Sequence, residues 1–168
     1  MLYMENISKE REQYFEEKSR FAYNLYKQNK FFRKARAIIK DGDNFLVLHV
    51  PEKHIYGISG GGIEDGETAT EGCKREVLEE MGIEVKPQKL LFKHYYRGSM
   101  EYNGVKFYPK CVEFYYLCKP LKVVNSTEKL GISGEFVGAV EIAKLTKDEF
   151  LNKIKFKYGV VEKLRKVL

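Results

Sequence analysis

Seven acids crowd one short stretch of this chain. From Gly60 to Ile83 the sequence reads GGGIEDGETATEGCKREVLEEMGI, and only Lys74 and Arg75 offset Glu64, Asp65, Glu67, Glu71, Glu76, Glu79 and Glu80. The stretch is acidic in a 168-residue chain whose formal net charge is +6. Wound as a helix, Ala69, Cys73, Val77 and Met81 share an apolar side. Glu76, Glu79 and Glu80, spaced i, i+3, i+4, share a different face. Like charges at that spacing destabilise an exposed helix by about 0.2–0.5 kcal/mol per pair. Partial burial raises the cost and favours protonating one carboxyl. A divalent cation removes the repulsion, and clustered carboxylate oxygens suit Mg²⁺ or Mn²⁺, singly or as a bridged pair. Gly72 lies one turn before Glu76 and leaves room for a ligand. Arg75 can pair with Glu71 or Glu79 at four-residue spacing. A solvated acidic helix face is the plain alternative.

These residues need a scaffold, and the flanking sequence supplies its elements. Residues from about Ser8, a plausible N-cap, to Phe32 read as a helix with Ile7, Tyr14, Phe15, Phe21, Ala22, Leu25 and Tyr26 along one stripe. That stripe must pack on the domain itself or on a second copy, as a homodimer through this helix. Ala35–Ile39 and Phe45–Val50 read as a hairpin turned by Asp41-Gly42. A short strand at 55–59 leads into the glycines, and Glu67–Met81 is helical. Strand-like runs follow at about 88–97 and 105–118, with Asn103-Gly104 as a second hairpin turn. In the second run Val112, Phe114, Tyr116 and Cys118 alternate with Glu113, Tyr115 and Leu117. Residues 125–134 read as a loop, 135–142 as a strand, and the chain from about Lys147 as helix, broken near Gly159. Strands mixed with helices predict an α/β sheet with helices on both faces.

Composition excludes several classes. The chain is 43% hydrophobic and 32% charged, ordinary for a globular protein. No apolar run has the length of a membrane span. The first twenty residues are charged throughout and carry no apolar signal region. Three cysteines without metal-site spacing argue against a disulfide framework and for a reducing, cytoplasmic setting. Positive charge gathers at both ends: nine Lys or Arg against five acids over residues 1–36, and eight against three over residues 144–168. Such a surround attracts an anionic substrate such as a phosphate ester. No DNA-binding module is visible.

The acidic stretch resembles the signature of the Nudix hydrolases. That signature runs Gly, five residues, Glu, seven residues, Arg-Glu, aliphatic, one residue, Glu-Glu, one residue, Gly, aliphatic. Here these are Gly61, Glu67, Arg75, Glu76, Val77, Glu79, Glu80, Gly82 and Ile83. All nine fixed positions over 23 residues are filled. The resemblance implies a Nudix-type α/β/α sandwich with a mixed β-sheet over residues 33–168, preceded by an N-terminal helical extension over residues 1–32. It implies hydrolysis of a nucleoside diphosphate linked to another moiety, with Mg²⁺ or Mn²⁺ as cofactor. Glu76, Glu79 and Glu80 would be the metal ligands, joined by the backbone carbonyl of Gly60. Glu67 and Arg75 would brace them, with Glu64 as an additional contact. A proline commonly precedes the triple glycine in this family. Ser59 stands there in this chain, which implies a less rigid loop.

The general base varies among such enzymes. Glu76 is one candidate, and Glu128 and Glu135, in the loop region, are others. A nucleobase needs an aromatic platform. Tyr56, Tyr95, Tyr96 and Tyr108 are candidates, with Arg97 and Lys110 for phosphate contact. Two alternatives share the fold: a non-catalytic nucleotide-binding regulator, and a pyrophosphohydrolase that processes RNA 5′ ends. The three intact carboxylates count against the first. The basic ends permit the second.

Overall fold

The computed structural model describes residues 2–124 and 141–168, without the side chains of residues 2–8 and Arg11. The first hairpin signal folds as expected, one residue displaced. Strands β1 (Phe32–Asp41) and β2 (Asn44–Val50) pair antiparallel with Asp41 opposite Asn44, so the turn residues are Gly42 and Asp43. Gly42 takes φ 63°, a left-handed conformation that a side chain disfavours. A single 3₁₀ turn (Pro51–Lys53) leads to β3 (Ile55–Gly57), and then β4 (Gly60–Gly62) pairs with residues Lys34–Arg36 of β1. Helix α2 (Ala69–Met81) and strands β5 (Ile83–Arg97), β6 (Met100–Tyr102), β7 (Val105–Phe107) and β8 (Lys110–Val123) follow. Strand β9 (Glu141–Leu145) pairs with β2, and helices α3 (Lys147–Lys153) and α4 (Val160–Val167) close the chain. Gly159, at φ 79°, separates the last two helices. The expected loop at 125–134, and the expected strand as far as residue 140, lie outside the described residues.

The sheet orders its strands β3-β2-β1-β8-β5, with β4 added on β1 and β9 on β2. Period-two alternation assigns its faces. Ala35, Ala37 and Ile39 of β1 and Phe114, Tyr116 and Cys118 of β8 pack with Ala69, Cys73, Val77 and Met81 of α2. Ile38, Tyr115 and Leu117, the intervening residues, pack with Phe150, Leu151, Val160 and Leu164 of α3 and α4. Phe45 stacks on Phe150 with ring centroids 4.6 Å apart. Burying a side chain of this size contributes about 1.5–3 kcal/mol. Helices on both faces of the mixed sheet make the expected α/β sandwich. Cys73 and Cys118 are free thiols with Sγ atoms 3.8 Å apart, and the hydrogen bond between them, together with burial, pushes the Cys118 thiol up.

The chain divides into two units, Lys34–His94 with Glu113–Leu168, and Met1–Arg33 with Tyr95–Val112. In the second, helix α1 (Leu2–Lys27) starts earlier than expected, so Ser8 is inside it and does not cap it. It also stops short of Phe32. Asn29 adopts φ 56°, its N–H bonds the Tyr26 carbonyl, and the Lys30 N–H bonds the Leu25 carbonyl. This is the Schellman closure, with asparagine in the place glycine usually takes. Ala22 and Phe32 are buried against Phe107 and Cys111, with Phe21, Tyr23 and Leu25 packed around them. The stripe's last turns therefore pack within the unit, while Tyr14 and Tyr26 stay 42% and 40% exposed. Asn103 and Gly104, both at positive φ, turn the β6–β7 hairpin as a type I′ pair.

Candidate active site

Helix α2 begins at a capping box. The Thr68 hydroxyl accepts the Glu71 N–H, and the Glu71 carboxylate accepts the Thr68 N–H. This employs Glu71, which leaves it a capping residue and not the partner of Arg75. Arg75 turns instead to Glu67, with a bidentate pair at 2.8 and 3.0 Å. The same guanidinium donates to the Gly62 carbonyl at 2.8 Å, to Glu76 at 2.9 Å and to Glu79 at 3.4 Å. Glu67 also accepts the Glu64 N–H at 2.9 Å, and Arg75 holds its carboxyl below the usual range. Arg75 therefore ties the loop after the glycines to the helix.

The glycines make room for carboxylates. A Cβ on Gly61 would stand 2.6 Å from the Glu76 carboxyl carbon and from both its oxygens. A Cβ on Gly60 would strike the Ala35 carbonyl, and its φ of 150° strains any other residue. Gly72 corrects an expectation. A Cβ on Gly72 would stand 3.0 Å from a Glu67 carboxylate oxygen and 3.2 Å from Ile63, so its smallness makes room for the brace.

Ser59 corrects another. It is buried, and its hydroxyl donates to Glu80 Oε2 at 2.6 Å, beside the Gly60 N–H at 3.0 Å. A proline here has no hydroxyl, so the departure replaces stiffness with an anchor for Glu80. Ser59→Ala is expected to destabilise the fold by about 1.5–3 kcal/mol, the range for a hydrogen bond to a charged group. Urea unfolding with and without the substitution measures it.

Of the three carboxylates on the predicted face, Glu76 and Glu80 are buried while the Glu79 side chain is 53% exposed. Burial, the neighbouring Glu80 and Glu79 together push Glu76 up to about 7 against the pull of Arg75. Among the described residues no three His, Cys, Asp or Glu side chains form a ready metal cage. Their oxygens turn to Arg75, Ser59 and Gly60. The donor set nevertheless fits a hard divalent cation: two buried carboxylates that repel each other, a third one turn apart, and the Gly60 carbonyl on the adjoining strand. That carbonyl accepts Arg36 Nη1 at 3.2 Å.

Nothing local in the sequence gives Arg36 a role, and it places Glu113 only on one face of a strand. Glu113 is fully buried and accepts Arg36 at 3.0 and 3.2 Å, Lys157 at 2.8 Å and the Tyr115 hydroxyl at 2.9 Å. Burial raises its carboxyl, but Arg36 and Lys157 outweigh that and hold it at about 2. The available signal was a charge set among apolar residues, Arg36 within ARAII and Glu113 within CVEFYYLC.

Tyr56 packs with the α3–α4 layer, stacked 4.1 Å from His49 and with Lys153 Nζ 5.3 Å from its ring centre. Arg97 and Lys110 belong to the unit containing α1, where Arg97 donates to the Tyr108 carbonyl at 3.2 Å and Lys110 lies 5.9 Å from the Phe31 ring centre. Glu128 and Glu135 lie outside the described residues.

Comparison with known proteins bears on the family and the fold. The NUDIX domain family model matches residues 30–162. A NUDIX hydrolase from Nitrosomonas europaea superposes with TM-score 0.56 at 23% identity, covering 81% of this chain and 87% of that one. A UDP-X diphosphatase superposes at 0.58 and 18% identity, covering 82% of this chain and 63% of its own. An ADP-ribose pyrophosphatase from Streptococcus suis gives 0.53 at 16% identity, covering 80% and 87%. No curated protein matches the sequence. The chain belongs to the Nudix family, and it is a Nudix hydrolase. Hydrolases of this family generally use divalent metal ions. Among the described residues no helix is long and apolar enough to cross a membrane.

Proposed function

We propose that this protein is a Mg²⁺- or Mn²⁺-dependent pyrophosphohydrolase acting on a nucleoside diphosphate linked to a second group. The observation that carries the reading is the buried Glu76–Glu80 pair, set against three glycines and braced through Arg75. Glu76, Glu79, Glu80 and the Gly60 carbonyl would hold the cation. When bound, it would neutralise charge developing on the phosphoryl oxygens as water attacks phosphorus. Arg75 keeps Glu76 and Glu67 in register with the glycine loop. Ser59 and the Gly60 N–H fix one oxygen of Glu80. Glu76, Glu128 and Glu135 are the candidates for the group that accepts the proton of the attacking water. The extent of the catalytic domain, residues 33–168 with residues 1–32 as an extension, belongs to the same proposal, as does a cytoplasmic setting.

A substrate panel tests it, with UDP-linked groups, ADP-ribose, dNTPs, dinucleoside polyphosphates and capped RNA, each with Mg²⁺ and with Mn²⁺. Metal-dependent turnover of at least one is expected. No turnover of any would sink the reading. Gly61→Ala tests the geometry, since the added methyl must displace the Glu76 carboxylate. It is expected to lower kcat/KM about 10²-fold, the effect of misplacing a catalytic group by about 1 Å. Steady-state kinetics beside a melting curve separates this from unfolding.

A further inference from the structure

The unit formed by Met1–Arg33 and Tyr95–Val112 carries an organised surface that the proposed metal site does not use. Phe31, Tyr95 and Tyr108 are 41%, 59% and 55% exposed. Single exposed aromatics are common, but Phe31 meets both Tyr95 and a cation, and a second cation is held on the backbone of Tyr108. The Phe31 and Tyr95 rings meet edge to face with centroids 5.7 Å apart. Lys110 Nζ lies 5.9 Å from the Phe31 ring centre. Arg97 is fixed on the Tyr108 backbone by its 3.2 Å bond to the carbonyl. Residues 27–33 and 95–112 together hold six Lys or Arg and one Glu.

Flat rings interleaved with cations suit a chain of bases joined by phosphates. Each base offers a face for stacking, and each phosphate a charge for Lys or Arg. The charge excess selects an anionic partner. A lipid surface is the weaker match, because it favours an apolar helix face over rings from separate segments. We propose that Phe31, Tyr95 and Tyr108, with Arg97 and Lys110, form a stacking surface for single-stranded nucleic acid. The surface is a property of this unit and does not depend on the identity of the hydrolysed substrate.

Fluorescence anisotropy of the full chain tests it, in EDTA to prevent turnover. The probes are labelled U12 RNA, dT12 DNA and a 12-base-pair RNA duplex. Saturable binding of U12 and dT12, tighter than duplex, is expected at 50 mM KCl. Neutralising two phosphates gives a log–log salt slope of about −1.4, and Lys110→Gln should reduce it to about −0.7. Tyr95→Ala and Tyr108→Ala should each weaken binding at least about fivefold. Both rings are exposed, so melting curves should show these variants folded. Four results would overturn the proposal. These are no binding to either single strand, equal or tighter binding of duplex, displacement by anionic vesicles but not by unlabelled U12, and wild-type affinity in both tyrosine variants. A loss of binding in Lys155→Gln/Lys166→Gln that matches or exceeds the tyrosine effects would also overturn it, by moving the contact to the C-terminal basic segment.

Discussion

Glu80→Gln is expected to lower kcat about 10²–10³-fold, the loss seen when one group that stabilises transition-state charge is removed. Glutamine keeps the shape of Glu80 and one carbonyl oxygen, which can still accept from Ser59 or the Gly60 N–H. It loses the charge that would hold the cation. The same change relieves Glu76, whose carboxyl is pushed up to about 7 by burial first and by Glu80 next. The metal-free variant should therefore melt no lower than the wild type near pH 8. Kinetics in Mg²⁺ and melting in EDTA give the two readouts. A variant with near-normal kcat would remove Glu80 from the metal site. A variant that also melts far lower would show a structural role instead.

Arg36→Met is expected to cost about 3 kcal/mol of stability. Removing one partner of a buried ion pair leaves a charge without compensation, at roughly 3–5 kcal/mol. Lys157 and the Tyr115 hydroxyl remain on Glu113, which argues for the lower end. For a chain of this size the melting temperature should fall by roughly 10 °C. The sign of the pH dependence follows from Glu113. Its carboxyl sits at about 2 in the folded protein against an ordinary 4.5, so it contributes stability above pH 4.5 that is lost as pH falls toward 2. Arg36→Met should flatten the wild-type decline across that window. Arg36→Met/Glu113→Leu should recover much of the loss, because no buried charge is left unpaired. Thermal melts at pH 2.5, 4.5 and 7 follow all three proteins.

The difference between these two residues explains what could be read ahead of the structure. Glu80 sits in a local pattern. The spacing of Glu76, Glu79 and Glu80 set them apart from Ala69, Cys73, Val77 and Met81, and the structure keeps that division with the second set wholly buried. Asn103-Gly104 specified its turn, since both residues tolerate positive φ. Thr68 and Glu71, at capping-box spacing, specify the start of α2. The end of α1 was misplaced because Asn29, not a glycine, takes the left-handed position.

Arg36 and Glu113 are 77 residues apart, and nothing local joins them. Each is one of several charges in its strand, and the pair exists only because β1 and β8 are neighbours in the sheet. Ser59 became an anchor only when β4 brought the residues beside it against α2. Gly72 and Gly61 look alike as small residues near acids, yet one makes room for Glu67 and the other for Glu76. Sequence alone determined most of the described elements and the family, because helical and strand periods, turn residues and motif spacing act within a few residues. Tertiary structure decided which charges are buried, what each glycine accommodates and which side chains hold the carboxylates, because those depend on atoms that only folding brings into contact.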